Sequence, residues 1–136
     1  MSHKLPAVEP VTDKDTLIKY LEKGIKPRES WRIGTEHEKF VYRLSDYAPL
    51  AYDGYPGIRQ ILEKLQRYGW APVMEKDNVI ALKKTDGSSV TLEPGGQFEL
   101  SGAPVANIHQ TCNEVQSHLT EVKAVCEEIG AGMSGI

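Results

Sequence analysis

Between residues 105 and 129, Val105, Ile108, Cys112, Val115, Leu119, Val122, Cys126 and Ile129 follow one another at steps of three and four without a break. That is the repeat of a long helix with one face turned to a core. Pro104 ahead of the run and Gly130 behind it read as its opening and closing residues. Both cysteines of the chain, Cys112 and Cys126, fall on this stripe, where a thiol behaves as a small buried hydrophobe. Their spacing suits neither a redox nor a zinc CxxC pair, so reduced, structural thiols are expected.

What surrounds this helix alternates between helical and extended patterns. "VTDKDTLIKYLEKGIKP" offers Thr12 or Asp13 as an N-cap, a stripe of Leu17, Ile18 and Leu21, and Gly24 as a stop, which predicts a short amphipathic helix. "WRIGTEHEKFVYRL" alternates as a strand, with Ile33, Thr35, His37, Lys39 and Val41 on one side and Gly34, Glu36, Glu38, Phe40 and Tyr42 on the other. A loop rich in Pro, Gly and Asp leads to "IRQILEKLQRYGW", where Ile58, Ile61, Leu62 and Leu65 predict a second helix before Gly69. "NVIALKKTDGSSVTLEP" reads as two strands around an Asp86-Gly87 hairpin. The order predicts an α+β domain, an antiparallel sheet with flanking helices, rather than a doubly wound parallel fold. A chain of 136 residues fits one such domain, with residues 1–30 as leader and short helix and residues 31–136 as the folded body. The net charge of -3 gives no reason to expect a nucleic acid or an anionic membrane as partner. "MSHKLPAVEP" lacks the apolar core of a signal peptide, and no run approaches a membrane span, so a cytoplasmic address is expected.

The polar faces of these strands carry the chemistry. Glu36 and Glu38 lie two apart, which sends both carboxylates to one face of their strand. Further on, in "TLEPGGQFELSG", Thr91, Glu93, Gln97, Glu99 and Ser101 share one parity while Val90, Leu92, Phe98 and Leu100 take the other. Clustered like charges call for a compensating cation, an Arg, a Lys or a divalent metal, and a set of hard oxygen donors suits Mg²⁺. Gly95 and Gly96 interrupt the strand pattern, the mark of a bulge, a turn or a place where a ligand approaches the backbone. No GxxxxGK[ST] phosphate loop is present, "HEKF" is not the HExxH of a zinc protease, and the parity of His37 and Lys39 points them away from the glutamates.

Taken together, "RIGTEHEKF", "GWAPVMEKDNVIALK", "VTLEPGGQFELSGAP" and "IHQTCNEVQSHLTEVK" resemble, in order and spacing, the glutamate-cysteine ligase family, most closely its plant and proteobacterial type. The resemblance implies a glutamine-synthetase-like catalytic fold, here partial, whose antiparallel sheet lines a cleft for ATP, Mg²⁺ and glutamate. It also implies a reaction, the first step of glutathione biosynthesis, in which ATP phosphorylates the γ-carboxylate of glutamate and the amine of cysteine displaces the phosphate. On this footing Glu36, Glu38 and Glu99 are the expected Mg²⁺ ligands, while Glu93, Gln97, Gly95 and Gly96 are weaker substrate-side candidates. Members of the family are several times longer, so the expected complement of this chain is either downstream sequence or a second copy. Two alternatives stay open: a catalytically incomplete binding or assembly module, and a carboxylate-amine ligase with another amine acceptor.

Overall fold

The computed structural model describes residues 10–135, and the leader expected before them lies outside that range. Two compact units divide the chain, one ending at Trp31 and one beginning at Arg32. In the first, helix α1 (Lys14–Glu22) is capped by Asp13, which accepts from the Thr16 backbone N–H at 2.8 Å and from the Thr16 hydroxyl at 2.8 Å. Of the two candidate caps, the aspartate takes the position because its carboxylate also complements the helix dipole. Beyond a short 3₁₀ turn (Arg28–Ser30), the Trp31 indole N–H donates to the Lys26 carbonyl at 2.9 Å.

The second unit is the predicted α+β arrangement. Strands β1 (Glu36–Arg43), β2 (Ala71–Glu75), β3 (Asn78–Lys83), β4 (Ser89–Glu93), β5 (Gln97–Ser101) and β6 (Ala131–Gly135) form one sheet in the order β2-β3-β4-β5-β1-β6, with every neighbouring pair antiparallel. Helices α2 (Ile58–Leu65) and α3 (Ile108–Ile129) supply the other half of the core. Ile58, Ile61, Leu62 and Leu65 of α2 are all buried, as their spacing predicts. They meet Val41, Val79, Leu82, Val90, Phe98 and Leu100 from the sheet and Val122, Val125, Cys126 and Ile129 from α3.

Two strands escape the sequence pattern. β2 contains Pro72 and sits at a sheet edge, where a missing N–H is tolerated. Apart from Met133, β6 is made of small residues with little β preference and is held by its pairing to β1. A register shift opposite Val73 and Met74 leaves Ile80 as an extra residue in β3, so Val79 and Leu82 both reach the core while Ile80 stays exposed.

The long helix is real, but its buried stripe is not the one its apolar residues suggest. Pro104 does not open it. Asn107 is the N-cap, accepting from the Gln110 N–H at 3.1 Å, and Val105 lies before the helix in a bridge to Ile33. Replacing Asn107 by Ala is expected to cost about 1 kcal/mol in a denaturant titration. In the first half the core-facing residues are Thr111 and His118, whereas Ile108 is 57% exposed and Cys112 is exposed; only Cys126 is the buried thiol expected of both. Packing selects this face, since the His118 ring lies parallel to that of Phe98 on β5 with centroids 6.2 Å apart. No described helix is long and apolar enough to cross a membrane.

Candidate functional site

Strand register brings the predicted acidic residues together. β1 and β5 pair Glu36 with Ser101 and Glu38 with Glu99, while β4 and β5 pair Thr91 with Glu99 and Glu93 with Gln97. Directly paired residues share a face, so Glu36, Glu38, Glu93, Gln97 and Glu99 all stand on the side of the sheet opposite the buried residues Lys39, Val90, Phe98 and Leu100. Glu99 is at the centre and only 7% exposed, and it accepts a hydrogen bond from the Ser101 hydroxyl at 2.8 Å.

The electrostatics record this crowding. The Glu93 carboxyl is held above the usual carboxylate range, first by a hydrogen bond shared with Glu99 and then by the charge of Glu99, with burial, Glu38 and Glu36 adding to it. Like charges this close favour retention of a proton. The compensating cation on the other side of the sheet is Lys39, which is fully buried and donates from Nζ to the His37 carbonyl at 2.9 Å. Burial pushes its pKa down to about 8, and the charge of Glu99 works against that fall. Sequence parity places Lys39 on the core face but gives no sign that it is fully buried.

Pro94, Gly95 and Gly96 form the β4–β5 turn, closed by the Gly96 N–H donating to the Glu93 carbonyl at 3.0 Å. Of the three readings the sequence allows, the turn is what the chain adopts, and it preserves the shared parity of Glu93 and Gln97. Both glycines have positive φ, +83° and +77°, a region costly for residues with a Cβ. Replacing Gly95 by Val is expected to cost about 1–2 kcal/mol or more, read by chemical denaturation, whereas Gly95→Asn should lose much less. The same two glycines wall a cavity of about 290 Å³ with Phe40, Tyr42, Tyr47 and Pro49. Phe40 continues the face of Glu36 and Glu38, so this aromatic cavity borders the acidic patch. Tyr47, in the left-handed region at φ 57°, is a wall residue that strand and helix patterns do not reveal.

Among the described residues, no group of three His, Cys, Asp or Glu side chains is close enough together to hold a metal ion. Mg²⁺ is commonly held by one or two carboxylates while water and substrate phosphates complete its octahedron. The facing pair Glu38 and Glu99 fits that requirement, and the raised pKa of Glu93 reflects the negative charge gathered on the patch. Glu36 is the exposed member, one pair further along opposite Ser101.

A sequence model of glutamate-cysteine ligase family 2 matches residues 32–136. The chain is 54% identical over 129 residues to glutamate-cysteine ligase A, chloroplastic, of Oryza sativa subsp. japonica, covering 94% of this chain and 25% of that protein. It is 53% identical over 131 residues to the chloroplastic glutamate-cysteine ligase of Medicago truncatula, covering 96% and 25%, and 51% identical over 131 residues to that of Arabidopsis thaliana, covering 96% and 24%. The chain spans about a quarter of the length of these curated relatives.

Proposed function

This chain belongs to glutamate-cysteine ligase family 2, and from that premise we propose that its acidic sheet face forms part of the cleft of an ATP- and Mg²⁺-dependent ligase. The reaction joins the γ-carboxylate of glutamate to the amine of cysteine through a γ-glutamyl phosphate, the first step of glutathione biosynthesis. The observation that carries the reading is the gathering of Glu36, Glu38, Glu93 and Glu99 on one face, with Glu38 and Glu99 directly opposed. Phosphoryl transfer between two anions needs that kind of surface, because Mg²⁺, when bound, neutralises charge shared by the phosphates and the attacking carboxylate.

Within this reading each group has a part. Glu38 and Glu99 would hold Mg²⁺, with Glu36 at the exposed end of the set. The Ser101 hydroxyl fixes the rotamer of Glu99 by its hydrogen bond to Oε1. The neighbouring Glu99, Glu38 and Glu36 raise the pKa of Glu93, and a cation on the patch would lower it again. The cavity of Phe40, Tyr42, Tyr47, Gly95 and Gly96 has the size and apolar walls to receive a planar base beside the acidic face, and the turn glycines let a ligand lie close to the backbone.

The test is phosphate release by the purified chain supplied with Mg²⁺, ATP and glutamate, with and without cysteine. Cysteine-dependent release that Glu38→Gln abolishes is the expected result for a working ligase. Release that ignores cysteine, or that the variant leaves unchanged, would overturn the assignment. A second reading is a module that binds Mg²⁺ and ATP without turnover. Its signature would be Glu38-dependent nucleotide binding with no phosphate released.

A further inference from the structure

Among the described residues Lys39 is the one charged side chain with no exposed surface, and the proposed reaction makes no use of it. Taking an ammonium out of water is costly unless close partners offset the loss, and the core side offers few. Nζ donates to one described acceptor, the His37 carbonyl of its own strand, at 2.9 Å. The titratable neighbours there, His37 and His118, are both basic, and after burial the charge of Lys39 is what most holds each toward its neutral form. The carboxylate whose charge favours the ammonium is Glu99, and Glu99 stands on the other face of the sheet.

Strand register shows how near the two are. β1 and β5 pair Glu38 with Glu99 and Lys39 with Phe98, so Lys39 and Glu99 are diagonal neighbours on strands about 4.8 Å apart, with the sheet backbone between their side chains. A methionine here would occupy similar space without the desolvation cost of a charge. What it would not supply is positive charge directly behind Glu38 and Glu99. Such a charge acts through the sheet on whatever occupies the acidic face. It eases the repulsion among Glu36, Glu38, Glu93 and Glu99, opposes a cation that approaches them, and favours an anion. Lys39 and Glu99 are both buried, so dissolved salt screens the effect little.

We propose that Lys39 is a positioning residue that acts through the sheet as a fixed counter-charge on Glu38 and Glu99, holding down the affinity of the acidic face for a free divalent cation and favouring the cation's complex with an anionic nucleotide. The inference rests on the reading of that face as a Mg²⁺ site. Its consequence is that metal and nucleotide strengthen each other's binding, because the phosphates are attracted by the same charge that opposes the bare cation.

The experiment is a Mn²⁺ titration of the purified chain at neutral pH, with free ion read by electron paramagnetic resonance, and a parallel titration with the Mn²⁺–ATP complex read by water proton relaxation. In Lys39→Met free Mn²⁺ should bind more tightly, on the order of tenfold, while Mn²⁺–ATP binds no more tightly than to the native chain or more weakly. Lys39→Gln, which keeps a donor for the His37 carbonyl, should shift both affinities in the same directions. A packing role alone would not produce this pattern, since a damaged fold weakens both ligands together. Native binding of Mn²⁺ with unchanged or weaker binding in both variants, or an equal gain for Mn²⁺ and Mn²⁺–ATP, would overturn the role of Lys39 and leave the metal face standing. A native chain that binds no Mn²⁺ would overturn the reading of the face, and this inference with it.

Discussion

Replacing Phe98 by alanine is expected to lower the unfolding free energy by about 3–5 kcal/mol. Its ring is fully buried at the middle of the sheet, paired in register with Lys39 on β1 and Leu92 on β4, and parallel to His118 of α3. Removing it takes away the surface on which α3 rests and leaves a cavity beneath two buried basic groups. Domain stabilities are typically about 5–15 kcal/mol, so this one change would bring the unit near its threshold. Urea titration should show the midpoint falling with an unchanged slope, and Phe98→Leu should lose less, about 1.5 kcal/mol or under. A loss below about 1 kcal/mol for the alanine variant would mean that α3 does not pack on β5 as described.

Acid should destabilise the second unit well above the range where carboxylates titrate. His118 has its pKa pushed down to about 3 by burial and by Lys39, His37 and Lys84, whereas in the unfolded chain it titrates near 6.5. Between those values the unfolded state binds the extra proton. The contribution of His118 is therefore fully present above pH 6.5 and is lost as pH falls toward 3, with a slope of up to about 1.36 kcal/mol per pH unit. His37 acts in the same direction, its pKa lowered by burial and by Lys39. Glu93 acts in the opposite direction, since its raised pKa makes the folded state the better proton acceptor. Asp13, Asp86 and Glu128, all with lowered pKa values, lose their contributions only at lower pH. Lys39, at about 8, is protonated in both states throughout this window. Stability measured from pH 7 to 4.5 should fall steeply in the native chain and much less in His118→Phe; identical slopes would show that His118 is not buried neutral.

The acidic face was legible because strand parity is a local property. Spacing of two assigns Glu36 with Glu38 and Glu93 with Gln97 and Glu99, and the β4–β5 turn keeps the two halves in phase. The direct opposition of Glu38 and Glu99 was not legible, since it depends on a pairing between segments some sixty residues apart. The α3 stripe misled for a related reason. Its apolar repeat is continuous, yet packing selected Thr111 and His118 over Ile108 and Cys112, because what a helix buries depends on the surface it meets. Strand β6 carries almost no pattern of its own and exists through β1, and parity gives the face of Lys39 but not its complete burial.

The most direct test of the account is Mn²⁺, as a paramagnetic stand-in for Mg²⁺, titrated into the isotope-labelled chain by NMR. The predicted result is broadening centred on Glu38, Glu99, Glu93 and Ser101, abolished in Glu38→Gln combined with Glu99→Gln, a variant whose stability is equal or higher because facing charges are gone. Broadening elsewhere, or at these residues but indifferent to the double substitution, would contradict the claim that the acidic sheet face is built to hold a divalent cation.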